Sequence, residues 1–160
     1  MEILKYTENK VIIVVDDNSS DGTYLSCKAA FEKNNIVKLI LRKNNKGLAN
    51  SINDGIKISR GQNIIIMDTD LTHDPKLIPQ LIYLIQKFDV VSCSRFCAGG
   101  LMENRPHYYL SFSFNLLLRI ILKTQIQDNL GGFFCINKKV LDTLPHEKIF
   151  YGYGEYFFRL

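Results

Sequence analysis

Aliphatic, β-branched runs alternate along the chain with stretches of helical periodicity, and this alternation leaves few folds open. The runs are "VIIVV" from Val11, "VKLILR" from Val37, "NIIIM" from Asn63 and "DVVSC" from Asp89. Each is apolar on both faces, which predicts buried strands of a parallel sheet. The first predicted helix follows "DDNSSDGT", where Ser and Asp can cap and Asp-Gly turns the chain, and runs to about Lys33. The second starts near Lys46-Gly47-Leu48, places Leu48, Ile52 and Ile56 on one face and stops at Arg60-Gly61. The third opens on Asp74 as cap with Pro75 in the first turn and continues through "KLIPQLIYLIQK". Repeated β-α-β units predict an α/β fold with a Rossmann-like, doubly wound, mostly parallel sheet flanked by helices. Ligands of such sheets bind beyond the carboxyl ends of the strands. Both "DDNSSD" and "DTDLTHD" fall at such ends, so they are expected to face one crevice.

After "DVVSCSRF" the rhythm changes to a loop, "CAGGLMENRPH", an apolar helix from Tyr108 to Lys123, the stretch "QDNLGGFFCI" and a short helix near "NKKVLDTL". No repeat, low-complexity tract or linker interrupts the chain. Its 160 residues, 46% hydrophobic and 22% charged, suffice for one core, so 1–160 reads as a single domain. A net charge of +4 argues against a dedicated nucleic-acid binder and is compatible with an anionic ligand or an acidic membrane surface. Cys27, Cys93, Cys97 and Cys135 form no Cys-x-x-Cys pair; they read as reduced thiols of a cytosolic protein and not as a zinc site. "MEILKYTENK" lacks the apolar core of a signal peptide, and Asn115 and Arg119 interrupt the longest apolar helix.

In "IIIMDTDLTHDP" two carboxylates stand one residue apart after an apolar strand. Residues two apart in extended backbone point to one side, so Asp68 and Asp70 can reach the same ligand. Two hard anionic oxygens suit Mg²⁺ or Mn²⁺, with other coordination positions left to water and substrate phosphates. The same string also fits the nucleophile of a haloacid-dehalogenase-like phosphatase, with Asp68 attacking and Asp70 as acid/base. That chemistry needs a Ser or Thr, a Lys and an acidic pair further on; Ser92 or Ser94 and Lys123 are available, the acidic pair is not. A receiver-type signalling domain would need a Lys at the end of a fifth strand, for which only Lys138 or Lys139 offers itself. The Walker lysine loop and the Gly-rich dinucleotide fingerprint are absent.

Taken together, "VIIVVDDNSSDGT", "RKNNKGLANSINDGIKISRGQNIIIMDTDLTHDP", "DVVSCSRF" and "QDNLGGFFCINKKVL" resemble the inverting family 2 glycosyltransferases, and among them the dolichol- or polyprenol-phosphate sugar synthases. The resemblance runs from about Val11 to Leu160. It implies a GT-A fold that moves a hexose from GDP-mannose or a UDP-sugar to a polyprenyl or dolichyl phosphate. By it, Asp17 recognises the nucleotide with Val15 behind the base, and Asp68 and Asp70 hold Mg²⁺ or Mn²⁺ under the diphosphate of the nucleotide sugar. Thr72 joins the metal shell where many relatives carry Gln or Ser. Arg95 matches an arginine on phosphate oxygens, and Asp128 positions the acceptor or acts as base. A lipid phosphate is already anionic, so orientation and electrostatics should dominate over proton abstraction.

Arg105, His107 and Ser111, with Asn115, fall in the segment that would clamp the acceptor phosphate. His107 stands where relatives often have Arg, with Arg105 as the substitute. The helix from Tyr108 to Lys123 suits either a bilayer interface or a buried core position. The expected location is cytoplasmic, peripheral on the cytoplasmic membrane face. Relatives open with a strand ending in a Pro-x-Tyr-Asn-Glu-like segment that this sequence lacks, and "YGYGEYFFRL" stops inside an amphipathic pattern. The domain is therefore expected to be partial, truncated at both ends, poorly stable, and weakly active or inactive.

Overall fold

β1 (Ile12–Asp16) and β2 (Val37–Leu41) run parallel, in a register from Ile12↔Val37 to Asp16↔Leu41. The crossover between them carries α1 (Thr23–Phe31), and α2 (Leu48–Ile58) follows β2. Ile13 and Val15 point to the same side of β1, as the period of a strand requires. Both meet α2 at Gly55, where an added Cβ would lie 3.4 Å from Val15 Cγ2 and 3.9 Å from Ile13 Cγ2. Those are ordinary contact distances, so the helix packs directly on these two side chains.

A second sheet has the order β3 (Asn63–Ile66), β5 (Phe134–Asn137), β4 (Val90–Ser92). β4 is antiparallel to β5, with Val90↔Ile136, Val91↔Cys135 and Ser92↔Phe134, and the ladder is extended by the Cys93 N–H donating to the Phe133 carbonyl at 2.9 Å. Asp74 caps a 3₁₀ turn, Pro75–Leu77, by accepting from the Lys76 N–H at 2.9 Å, and the turn leads into α3 (Ile78–Leu84). α4 spans Arg105–Leu122 and ends where Lys123 takes a positive φ of 50°. Asn137 caps α5 (Lys138–Thr143), and α6 covers His146–Ile149.

This computed structural model describes all residues except Met1, Thr7, Leu71, Gly99, 101–104 and 151–160, and omits the side chains of Glu2, Arg105, Glu147 and Lys148. Residues up to Ile64, with those from Asn137 on, form one compact unit, and Ile65–Ile136 form another. Val37, Ala49, Ile56 and Leu141 are buried in the first; Ile78, Leu81, Ile85, Phe133 and Cys135 are buried in the second.

The structure corrects two expectations and decides against one of the two alternatives for α4. The strand at Val90 pairs with an antiparallel neighbour, β5, in "FFCIN", whose aromatic start carried no strand signal beside the glycine pair. The four runs are not buried throughout: Val11 and Val90 are exposed, because one precedes its ladder and the other begins a short edge strand. α4 is not a core helix. Asn115 alone is buried among its described side chains, and Leu110 is 72% exposed.

Candidate active site

In the first unit the acidic pair after β1 serves two purposes. Asp16 is buried and its Oδ1 accepts from the Ser19 N–H at 3.0 Å, which turns "DDNSS" away from the strand with Asn18 at φ 59°. Asp17, the predicted nucleotide contact, is the hub of a network. Its Oδ1 accepts from Ser51 Oγ at 2.9 Å and from Arg42 Nη1, and its Oδ2 from the Gly47 N–H at 2.6 Å. Arg42 also donates through Nε to Asp54 Oδ2 at 2.8 Å, through Nη1 to Ser51 Oγ at 2.8 Å, and to the Asn45 carbonyl. Burial would raise the pKa of Asp17, but the Gly47 amide, the Ser51 hydroxyl and Arg42 outweigh it and hold the carboxyl below its ordinary value. Val15, expected behind a nucleobase, has a Cγ2 against Gly55 of α2. Arg42, Ser51 and Asp54 were not singled out by the sequence; the available signal was a lone Arg directly after an apolar strand.

In the second unit Asp68 and Asp70 follow β3. Asp70 is fully exposed, and its Oδ1 accepts from the Thr72 hydroxyl at 2.6 Å and the Thr72 N–H at 3.0 Å. Those two hydrogen bonds, hydroxyl first, lower the Asp70 pKa and keep it anionic. Thr72 thus orients the second carboxylate, its hydroxyl proton committed to that oxygen. Asp68 is held differently: its N–H donates to His73 Nδ1 at 2.9 Å, and His73 Nε2 lies 3.8 Å from its Oδ2. No group of three or more His, Cys, Asp or Glu side chains able to hold a metal occurs among the described residues. Two carboxylates without a closed cage match how Mg²⁺ or Mn²⁺ is held when water and substrate oxygens fill the other positions, so the donor set fits such an ion.

Arg95 and Asp128, predicted separately, are brought together. Arg95 Nε donates to Oδ2 at 2.8 Å and Nη2 to Oδ1 at 2.9 Å, a two-pronged fork. The Arg95 N–H at 3.2 Å and the Leu130 N–H at 3.3 Å complete the donors around the buried carboxylate. Burial pushes the Asp128 pKa up, but the Arg95 side chain and backbone more than reverse it, so the group is held below its ordinary value. A carboxylate so engaged makes a weak base and a firm anchor. It leaves Arg95 with three of a guanidinium's five N–H donors for an incoming anion.

Asn115 ties α4 to the same loop: Nδ2 donates to the Ser111 carbonyl at 3.0 Å and Oδ1 accepts from the Asn129 N–H at 2.7 Å. Ser111 therefore enters through its backbone, one turn above. His107 is exposed in the first turn of α4, and the Arg105 side chain lies outside the described residues. A cavity of ≈ 100 Å³ between Phe96, Phe112, Asn115, Leu116, Arg119 and Gln127 is too small for a nucleotide sugar, which needs several hundred Å³. No helix among the described residues is long and apolar enough to cross a membrane.

An α/β chain with a parallel β1–β2 pair and an acidic pair past β3 has the GT-A-like architecture of nucleotide-diphospho-sugar transferases. The chain belongs to glycosyl transferase family 2, whose pattern it matches over residues 2–144. It is 37% identical over 139 residues to a dolichol-phosphate mannosyltransferase of Pyrococcus furiosus, covering 84% of this chain and 39% of the relative. To that of Saccharomyces cerevisiae it is 31% identical over 143 residues, covering 89% and 52%. The chain thus spans about half the length, or less, of these relatives. Among solved structures it resembles glucosyl-3-phosphoglycerate synthase from Mycobacterium tuberculosis in complex with Mn²⁺, UDP-glucose and glycerol 3-phosphate. That likeness has a TM-score of 0.61 at 16% identity, covers 83% of this chain and 47% of the other, and bears on the fold alone. Family membership decides against the phosphatase and receiver alternatives.

Proposed function

We propose that residues 1–160 are a partial catalytic domain that moves a hexose from GDP-mannose or a UDP-sugar to a polyprenyl or dolichyl phosphate, with inversion. The observation that carries the reading is the acidic pair past β3, with Asp70 kept ionised by Thr72 on a family 2 fold. The acceptor class follows the relatives, which are dolichol-phosphate mannosyltransferases. Asp68 and Asp70 would hold Mg²⁺ or Mn²⁺, which neutralises the departing nucleotide diphosphate when bound. Asp17, fixed by Arg42 and Gly47, keeps acceptor capacity for a nucleobase edge or ribose hydroxyl. Arg95, braced on Asp128, presents its remaining donors to phosphate oxygens. A lipid phosphate oxygen forms the new bond to the anomeric carbon as the bond to the diphosphate breaks. The acceptor arrives ionised, so Asp128 acts by placing Arg95 and not by taking a proton. Arg105, His107 and Ser111 are assigned to the acceptor phosphate. The exposed Leu110, Ile120 and Ile121, with Arg119 on the same helix, support α4 lying at a bilayer surface, which makes the protein peripheral.

The test supplies labelled GDP-mannose, UDP-glucose or UDP-N-acetylglucosamine to vesicles containing polyprenyl phosphate. One donor is expected to label the organic-extractable lipid in a cation-dependent way, with a loss of about 100-fold or more in Asp70→Ala. Labelled lipid that forms without the cation and persists in Asp70→Ala would contradict the reading.

A further inference from the structure

We infer that His73 and Gly132 are positioning residues that set where the Asp68 carboxylate stands, an inference resting on the metal role proposed for Asp68. The Asp68 N–H donates to His73 Nδ1 at 2.9 Å, so that nitrogen is the acceptor and carries no proton. The neutral ring must then bear its hydrogen on Nε2, the nitrogen 3.8 Å from Asp68 Oδ2. One imidazole thereby accepts from the backbone of Asp68 and also stands beside its carboxylate. The ring is fixed by stacking on Phe133, centroids 5.1 Å apart and planes 19° from parallel.

Gly132, next to Phe133, closes the remaining side. A Cβ there would stand 2.9 Å from Asp68 Oδ2, which real contacts essentially never show, and 3.0 Å from His73 Cε1, tighter than most. The carboxylate and the imidazole edge occupy the space that any side chain at position 132 would take. Asp70 is oriented from within its own loop by Thr72. Asp68 is oriented by His73 of the same loop together with Gly132, which arrives with Phe133 at the entry to β5. Groups behind a metal-binding carboxylate fix its direction, and losing them lowers metal affinity by about 10- to 100-fold.

The experiment measures Mn²⁺ binding in the presence of UDP or GDP, read from the paramagnetic resonance signal of free Mn²⁺, on the full chain. His73→Leu and Gly132→Ala are each expected to weaken Mn²⁺ binding about tenfold or more. His73→Asn, whose amide oxygen can accept from the Asp68 N–H in place of Nδ1, is expected to recover most of the affinity. In the unsubstituted protein, long-range ¹H–¹⁵N correlation should find the His73 hydrogen on Nε2. Wild-type affinity in both His73→Leu and Gly132→Ala, beside its loss in Asp68→Asn, would overturn the positioning role and leave the metal reading intact. A hydrogen on Nδ1 would overturn it as well, independently of how any variant folds. Unchanged Mn²⁺ binding in Asp68→Asn would overturn the metal reading and this inference with it.

Discussion

Arg95→Met is expected to cost about 3 kcal/mol of folding stability at neutral pH and to abolish transfer. Removing one partner of a buried ion pair costs roughly 3–5 kcal/mol, because the other charge is left in a poor solvent. The low end applies because the Arg95 side chain is 34% exposed, whereas the Asp128 side chain is 0% exposed. Asp128 would keep its two backbone donors but lose both guanidinium bonds. The pH dependence follows from the direction of the shift. In the intact protein the Asp128 pKa lies below its ordinary value, so its stabilisation is present above the unfolded pKa and lost as pH falls through the folded one. In Arg95→Met burial acts without the guanidinium, and the folded pKa rises. The stability gap between the two proteins is therefore widest at neutral pH and narrows on acidification, as protonation removes the stranded charge. Urea unfolding at several pH values measures this; a gap that is constant or widens in acid contradicts the account. Arg95→Lys restores the charge without the fork and should recover only part of the loss.

Arg42→Met is expected to cost about 2 kcal/mol and to weaken sugar-nucleotide binding roughly tenfold. The asymmetry here is reversed. The buried member is the cation, 5% exposed, and its partners Asp17 and Asp54 are both partly open to water. Freed carboxylates can hydrate, so the stability cost is smaller than at Arg95. The functional cost comes through orientation. Arg42 joins Asp17, Ser51, Asp54 and the Asn45 carbonyl, and so fixes both the predicted nucleotide contact and the loop entering α2. Urea denaturation and calorimetric titration of the nucleotide separate the two effects. A variant that lost stability but bound nucleotide normally would reduce Arg42 to a structural role.

The alternation of apolar runs and helical patterns carried β1 to β4 and the first three helices, because strands and amphipathic helices of this size write their periods locally. β5 was not legible: "FFCIN" opens on aromatics after two glycines, and its strand character comes from pairing with β4 over forty residues away. The exposure of α4 was equally hidden, since an apolar face reads the same whether buried or bare. Within the site, Asp68 and Asp70 stood out as a carboxylate pair at a strand end, and Asp17, Arg95 and Asp128 through the family resemblance. Their joining did not. Nothing in the spacing of 95 and 128 announces a fork, and nothing in the string announces the bond from the Thr72 hydroxyl to Asp70. His73 and Gly132 were visible as letters, but their role depends on two loops meeting, which no local pattern records.

Cation-dependent binding of the sugar nucleotide is the most direct test of the central claim that Asp68 and Asp70 serve a nucleotide-sugar site. Isothermal titration of GDP-mannose, UDP-glucose and UDP-N-acetylglucosamine, with and without Mn²⁺, on the intact chain and on Asp70→Ala supplies it. The account predicts that one donor binds, that binding needs Mn²⁺, and that Asp70→Ala removes it. Binding that persists without metal and is unchanged in Asp70→Ala would contradict it.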